Sequence, residues 1–298
     1  MGGGGPEKYA FLPGDPRMPD GDRSSKVLAP LRAEGAKGVA IALISTVVVI
    51  GLVVLIVTRS PSWPQFRQLF FNGQEFRDTF PEIARRFVLN IEIAVACEVV
   101  ILALALLLAV MRSLPGPVFF PIRAMSIVYV DLFRGIPTIM LVYMLGFGIP
   151  GLRLPGVPSS GLFWAAVALV ISYSAYVAEV YRAGIESVHP SQAAAARSLG
   201  LTRGQTMRSV IIPQAVRRVI PPLLNDFIGL QKDTALVAFV AVTAEAFKQA
   251  TIDSSADFNY TPVVAAALLF LLLTVPMTRF VDWLVARERA KRQTGSAL

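Results

Sequence analysis

The chain has 298 residues, of which 54% are hydrophobic and only 16% charged, with a mean hydropathy of +0.60. Soluble domains carry about a quarter charged residues, so this balance excludes an ordinary soluble domain. One cysteine, Cys97, and one histidine, His189, exclude a disulfide framework and a four-ligand Cys/His zinc site. No GxxxxGK[ST] phosphate loop occurs, so any nucleotide-driven work has to come from a partner.

In chain order, residues 1–38 hold Gly2 to Gly5, several prolines and interleaved charges, a composition that buries no core and predicts a disordered cytoplasmic tail. Residues 39–57 then run without a charge for about the length a helix needs to cross a hydrocarbon core, which predicts an additional N-terminal transmembrane helix, not a cleaved leader. Residues 58–86 are assigned to an extracytoplasmic loop. Further apolar segments cover about 87–111, 124–149, 162–180, 217–242 and 262–286. The expected fold is therefore all-α, a polytopic membrane helical bundle with six transmembrane helices, closed by a basic cytoplasmic C-terminus at 287–298.

The net charge of +8 would point to nucleic acid in a soluble protein, but the placement of the charges gives another reading. With the loops laid alternately on two sides, one side carries 19 of the 28 Lys and Arg residues and the other 7. Positive residues favour the cytoplasm, which puts both termini and the loop 182–218 inside and leaves no reason to invoke nucleic acid.

Several spans carry polar groups at membrane depth, where a charge costs about 2.5–3.5 kcal/mol and so should face protein or a water-filled path. The fifth holds Pro221, Pro222, Asn225, Asp226, Lys232, Asp233 and Thr234, and its two prolines predict a kink. The third holds Asp131, Arg134, Gly135 and Pro137; Asp131 and Arg134 are spaced to pair on one helix face. Setting the third and fifth helices side by side would bring these groups together, either as a gate or polar path or as a static packing pair. In the second span Glu98 lies near the middle and Glu92 nearer the outer end, on different faces, so they form no acid/base pair. Glu98 either contacts a cationic group of a passing solute or is a protonated acid bonded to a neighbouring helix.

The loop 182–218 reads as ordered. Ser191 is placed to cap a helix through Gln192, Ala194, Ala195, Ala196 and Leu199, with Gly200 as its left-handed end. Thr202 is placed to cap a second segment that ends on Val210, Ile211 and Ile212, with Pro213 leading into the fifth span. The first helix is rich in alanine and nearly uncharged, which suits a protein cleft better than anionic lipid. His189 is read as an ordinary loop residue.

Ala194, Ala195 and Ala196, three residues, Gly200, nine residues and Val210 to Pro213 resemble the "EAA" loop of the membrane subunits of bacterial ABC importers. Leu132 to Pro137 resemble the LFRGxP segment, Arg182 to Ile185 the R(A/G)GI segment, Pro213 to Ala215 the PQA segment, and Asn225 with Lys232, Asp233 and Thr234 the N…KDT pattern of the polar amino-acid permeases (the histidine, glutamate and glutamine branch). The likeness covers roughly 87–286, and Ala194 departs from it by standing where the motif has Glu. It implies an ABC importer type I permease-like core of five helices with the N-terminal helix outside it. It further implies an ATPase-coupling loop carrying Ser191, Gln192, Ala194, Ala195, Ala196, Gly200 and Pro213. The translocation path or gate would draw on Glu98, Asp131, Arg134, Pro137, Asn225, Lys232, Asp233 and Thr234.

The implied partners are two cytoplasmic P-loop ATPase subunits, a second permease (itself or a homologue), an extracytoplasmic solute-binding protein and the lipid bilayer. The implied place is the bacterial cytoplasmic membrane. The chain itself would have no catalytic residue and no cofactor; ATP and magnesium would sit in the partner ATPase. Two other readings stay open at this point. One is an ion-coupled secondary transporter of small polar solutes with Glu98 or Asp233 as carrier; the other is an assembly subunit whose charges only fix packing.

Overall fold

The computed structural model of the chain describes residues 35–240 and 245–295, and the expected 1–38 tail lies almost wholly outside them. Contacts divide the chain into two units, 1–65 and 66–298. All described elements are helical.

In the first unit, helix α1 (Gly35–Arg59) contains the expected N-terminal span. Its Ser45, Thr46 and Thr58 hydroxyls donate to carbonyls three or four residues back in the same helix, which satisfies these three groups locally. Helix α2 (Trp63–Phe70) straddles the boundary.

The second unit opens with α3 (Gly73–Ser113), an unbroken helix whose first turn is capped by Asn72, the side chain accepting from the amides of Gln74 and Glu75 at 3.0 and 3.3 Å. The stretch 58–86, expected to be a loop, is therefore mostly helix. Phe76, Phe80, Ile83 and Phe87 recur at helical spacing, and that stripe packs into a satellite core with Ala246, Ala250, Ala265 and Ala266.

The expected third span is two helices, α4 (Phe120–Gly135) and α5 (Thr138–Gly151), bent by 99°. Pro137 has no amide to donate and forces the residue before it out of the helical region, and Ile136 accordingly sits at φ −93°, ψ 126°. Helix α6 (Gly161–Glu186) is capped by Ser160. It packs against α3, α4, α5 and α9 (Ile212–Asp233), with small residues such as Ala168, Ala175 and Ala178 buried on it. The third and fifth expected spans therefore meet only in part: α6 stands between α4 and α9, while α5 lies against the 3-10 end of the fifth span, with the Tyr143 and Phe239 rings 6.0 Å apart.

After α6 come α7 (Pro190–Ser198), α8 (Arg203–Thr206) and a π turn (Met207–Ile211) that runs into α9. The wider turn lets the Ile212 amide bond the Met207 carbonyl just before Pro213, which could not donate in an α-helical ladder. Pro221 and Pro222 lie inside α9, which remains one helix and continues as a 3-10 segment (Thr234–Phe239). Helix α10 (Ala246–Asp257), absent from the sequence reading, precedes the last span, α11 (Thr261–Gly295).

Among the described residues four helices are long and apolar enough to cross a membrane, or five when the bent pair is taken as one, against six expected. Helix α9 falls short because Arg217, Arg218, Asn225, Asp226, Lys232 and Asp233 lower its hydropathy.

Two glycines set how closely the helices approach. A Cβ on Gly161 would meet the Val240 carbonyl oxygen at 2.5 Å, and one on Gly146 the Val240 side chain at 2.7 Å, whereas Gly148 faces open space. Gly161→Ala is expected to destabilise the folded permease by about 1–3 kcal/mol, and Gly148→Ala to change it little; thermal unfolding of both variants in mild detergent checks this.

Candidate functional site

The loop 182–218 is built by local rules and then fixed to α9. The cap of α7 is His189, not Ser191: the His189 Nδ1 accepts from the Ser191 amide at 3.2 Å and meets the Ser191 hydroxyl at 2.7 Å, while Pro190 fills the first turn, where no donor is needed. Gly200 ends the helix at φ +86°. Its amide donates to the Arg197 carbonyl at 2.9 Å and that of Leu201 to the Ala196 carbonyl at 3.2 Å, the crossed pair that closes a helix on a left-handed residue. Thr202 caps α8 as expected, in a reciprocal box with Gln205.

Val188, Ile211 and Ala215 form a small core under the loop, with Ala193 and Val210 packed against it, and Arg218 donates to the Ser187 carbonyl and, at 3.1 Å, to its hydroxyl. Gln192 accepts from Gln214 at 3.5 Å. Ala196 is buried, while Ala194, Ala195 and Leu199 remain exposed, Leu199 at 81%. The loop therefore presents Ala194, Ala195 and Leu199 beside exposed Arg197, and is packed on the foot of α9, with Pro213 in that helix's first turn.

At the break between α4 and α5, helical bonding from Thr138 back to the Arg134 carbonyl is lost. Tyr176 of α6 fills the gap: its hydroxyl donates to that carbonyl at 3.3 Å, and the Arg134 guanidinium lies 5.8 Å from the centre of its ring. Neighbouring α6 hydroxyls hold both sides of the break. Ser174 meets Tyr129 of α4 at 2.8 Å, and Ser172 meets Thr138 of α5 at 2.9 Å. Further along α6, Tyr173 donates to Asp233 at 2.9 Å, and Glu179 takes Arg112 of α3 at 3.2 Å together with Arg182.

The expected path residues are divided by this arrangement. Asp233 and Thr234 join the protein interior. Glu98 lines a groove of 360 Å³ with Val95, Leu102, Ile220, Leu223 and Phe227, between α3 and α9. Asp131 and Arg134 are exposed and no ion pair joins them among the described residues; Asn225, Pro137 and Lys232 are exposed as well. The pairing of Asp131 with Arg134 gives way to the stacking of Arg134 on Tyr176, because the bend puts α6 beside the break.

Sequence reading missed a fully buried cluster. The Asn90 amide donates to Thr234 Oγ1 at 3.1 Å and to Glu245 Oε2 at 2.8 Å, and its oxygen accepts from the Ala246 amide at 3.2 Å. Glu245 also accepts from the amides of Phe247 and Lys248 at 2.9 and 2.7 Å, capping α10. Burial pushes the Glu245 carboxyl above its ordinary value, against the opposing pull of the hydrogen bonds from Phe247, Asn90 and Lys248. The signal in the sequence was an amide, Asn90, in a run whose only charged residues are Glu92 and Glu98. Tyr176→Phe, which keeps the ring and removes only the donor at the break, is expected to lower stability by about 0.6 kcal/mol and at most about 1.7, read from denaturation in detergent against the wild type.

Residues 102–290 match the family described as the inner membrane component of binding-protein-dependent transport systems. The chain is 38% identical over 186 residues to the "Probable glutamine ABC transporter permease protein GlnM" of Bacillus subtilis, covering 62% of this chain and 82% of that one. It is 34% identical over 210 residues to the "Glutamate transport system permease protein GluC" of Corynebacterium glutamicum, covering 67% and 91%. In structure it is similar to a solved amino acid ABC transporter crystallised with histidines, with a TM-score of 0.63 and 30% identity over 70% of this chain and 94% of that one. With its loop, its broken span and most of its length inside the match, the chain belongs to the family of inner membrane components of binding-protein-dependent transport systems.

Proposed function

We propose that this chain is the permease subunit of an ATP-driven importer of a polar amino acid, and that it forms the path while separate subunits hydrolyse ATP. The observation that carries the reading is the loop 182–218: a capped helix ending on left-handed Gly200, with Ala194, Ala195, Arg197 and Leu199 exposed, joined by the Val188–Ile211–Ala215 core and Arg218 to a helix that runs on to the polar interior. A surface of this kind passes displacement from a docked partner into the membrane, and the relatives named for glutamine and glutamate transport support the amino-acid class.

In this reading two P-loop ATPase subunits, holding ATP and magnesium, dock on the loops of two permeases, which are copies of this chain or a pair of homologues. An extracytoplasmic binding protein delivers the solute. Both termini and the loop lie inside, as the distribution of Lys and Arg favours. Ala194 in place of the motif's Glu removes one carboxylate from the docking face, so docking there rests on apolar contact and shape. Glu98, Asp131, Arg134, Pro137, Asn225, Lys232, Asp233 and Thr234 belong to the path or its gates, the exposed ones facing the second permease or the solute, and the helices move as alternating access requires.

Affinity purification of the chain from its native cells in mild detergent is expected to bring a P-loop ATPase with it, and vesicles made from the complex are expected to take up amino acid only with ATP. Recovery of the chain alone, moving solute under an ion gradient without ATP, would sink the reading. Gly200→Val, which places a β-branched residue at positive φ, is expected to lower both retention of the ATPase and ATP-dependent uptake at least several-fold. Gly204→Ala, at ordinary backbone angles and facing open space, should leave both near wild type.

A further inference from the structure

The cluster around Asn90 sits at the far end of the element that begins at the coupling loop. From Arg203 the chain stays helical through α8, the π turn, α9 and the 3-10 segment to Phe239. Its inner end is fixed to the loop by the Val188 core and Arg218. Near its outer end, Thr234 is held by Asn90 of α3, and the same Asn90 holds Glu245 and the first amide of α10. Asn90, Thr234 and Glu245 are each 0% exposed. One amide group thus joins the rod to two other elements.

The side-chain polar groups of Asn90, Thr234 and Glu245 are all engaged in hydrogen bonds. Thr234 spends its own hydroxyl proton on the Gln231 carbonyl at 2.7 Å, while the Gln231 side-chain amide, in a residue 1% exposed, has no hydrogen-bond partner among the described residues. A buried donor left unpaired makes an arrangement less stable than a fully paired one, and a buried polar cluster of this kind is sensitive to small displacements because water cannot replace a lost partner. The buried bonds from Asn90 to Thr234 and Glu245 tie the end of the rod to α3 and to the start of α10 for as long as they hold.

We propose that Asn90, with Thr234 and Glu245, is the outer latch of the transport cycle: positioning residues that make α10 and the outer part of α3 follow the motion of the rod driven from the coupling loop. The latch rests on the importer reading, since it presupposes a driven loop. When the loop displaces the rod, Thr234 carries Asn90 with it while the bond holds. Without the bond the rod moves and the outer elements stay, so ATP is hydrolysed without solute passing.

The test uses the whole complex with its ATPase and binding protein in liposomes, with ATP turnover and uptake of labelled glutamine, glutamate and arginine measured in parallel. Asn90→Leu keeps the volume and removes the hydrogen bonds; Glu245→Gln keeps the shape and withdraws one acceptor. Both are expected to lower solute moved per ATP at least five-fold while ATP turnover stays within two-fold of wild type. An unchanged ratio in both variants, or uptake and hydrolysis falling together in proportion, overturns the latch. Should Asn90→Leu fail to assemble, Glu245→Gln reads the same ratio. Absence of ATP-dependent uptake in the wild-type complex is a separate result, visible before any substitution, and overturns the importer reading itself.

Discussion

Inside a bilayer a backbone carbonyl has no water to turn to, and at the Ile136–Pro137 break this chain has carbonyls that its own helix cannot satisfy. Tyr176 supplies the missing donor to Arg134, and Ser172 and Ser174 hold the two sides of the break through Thr138 and Tyr129. The rest of the bundle follows from this contact. Because α6 has to present hydroxyls to both half-helices, it lies in the middle of the bundle, and because it lies there, α4 and α9 are kept apart. The same stretch of α6 reaches Asp233 of α9 through Tyr173 and Arg112 of α3 through Glu179, so one helix carries polar ties to four neighbours.

Close approach to α6 depends on small side chains. Ala168, Ala175 and Ala178 leave room for the helices on either side, and Gly146 and Gly161 let the backbone at Val240 fold in where a methyl group would collide. In lipid there is little hydrophobic gain from bringing apolar helices together, so contact area and hydrogen bonds between helices decide the packing. That explains why the fully buried large side chains, such as Ile101, Leu169 and Leu230, are interleaved with buried serine, threonine and asparagine instead of forming an all-aliphatic core.

The loop 182–218 and the Asn90 cluster stand at opposite ends of one continuous helical stretch, Arg203 to Phe239. The loop is stiff because each of its turns is closed locally, by His189, by Gly200 and by the Thr202–Gln205 box, and because it is packed against α9. The π turn before Pro213 keeps the rod continuous across a residue that would otherwise interrupt it. A packed loop at one end and a buried, hydrogen-bonded joint at the other connect the two ends of the rod to their neighbours. The family gives this geometry its meaning as the frame of an importer.

What the sequence determined by itself was governed by near neighbours. The apolar runs, the left-handed end at Gly200 and the cap at Thr202 each depend on a few adjacent residues, and so did the spacing of the motifs that resemble the amino-acid permeases. The caps were only half legible: Ser191 has the better side chain, but Pro190 places His189 at the cap position. Tertiary structure decided the rest. The bend of 99° turned one apolar run into two helices, α6 displaced α9 from α4, and Arg134 stacked on Tyr176 instead of pairing with Asp131. Asn90 meets Thr234 and Glu245 across more than 140 residues of sequence. No local pattern signals such a meeting, because a buried hydrogen bond is fixed by where helices cross, and crossings are set by the packing of the whole bundle.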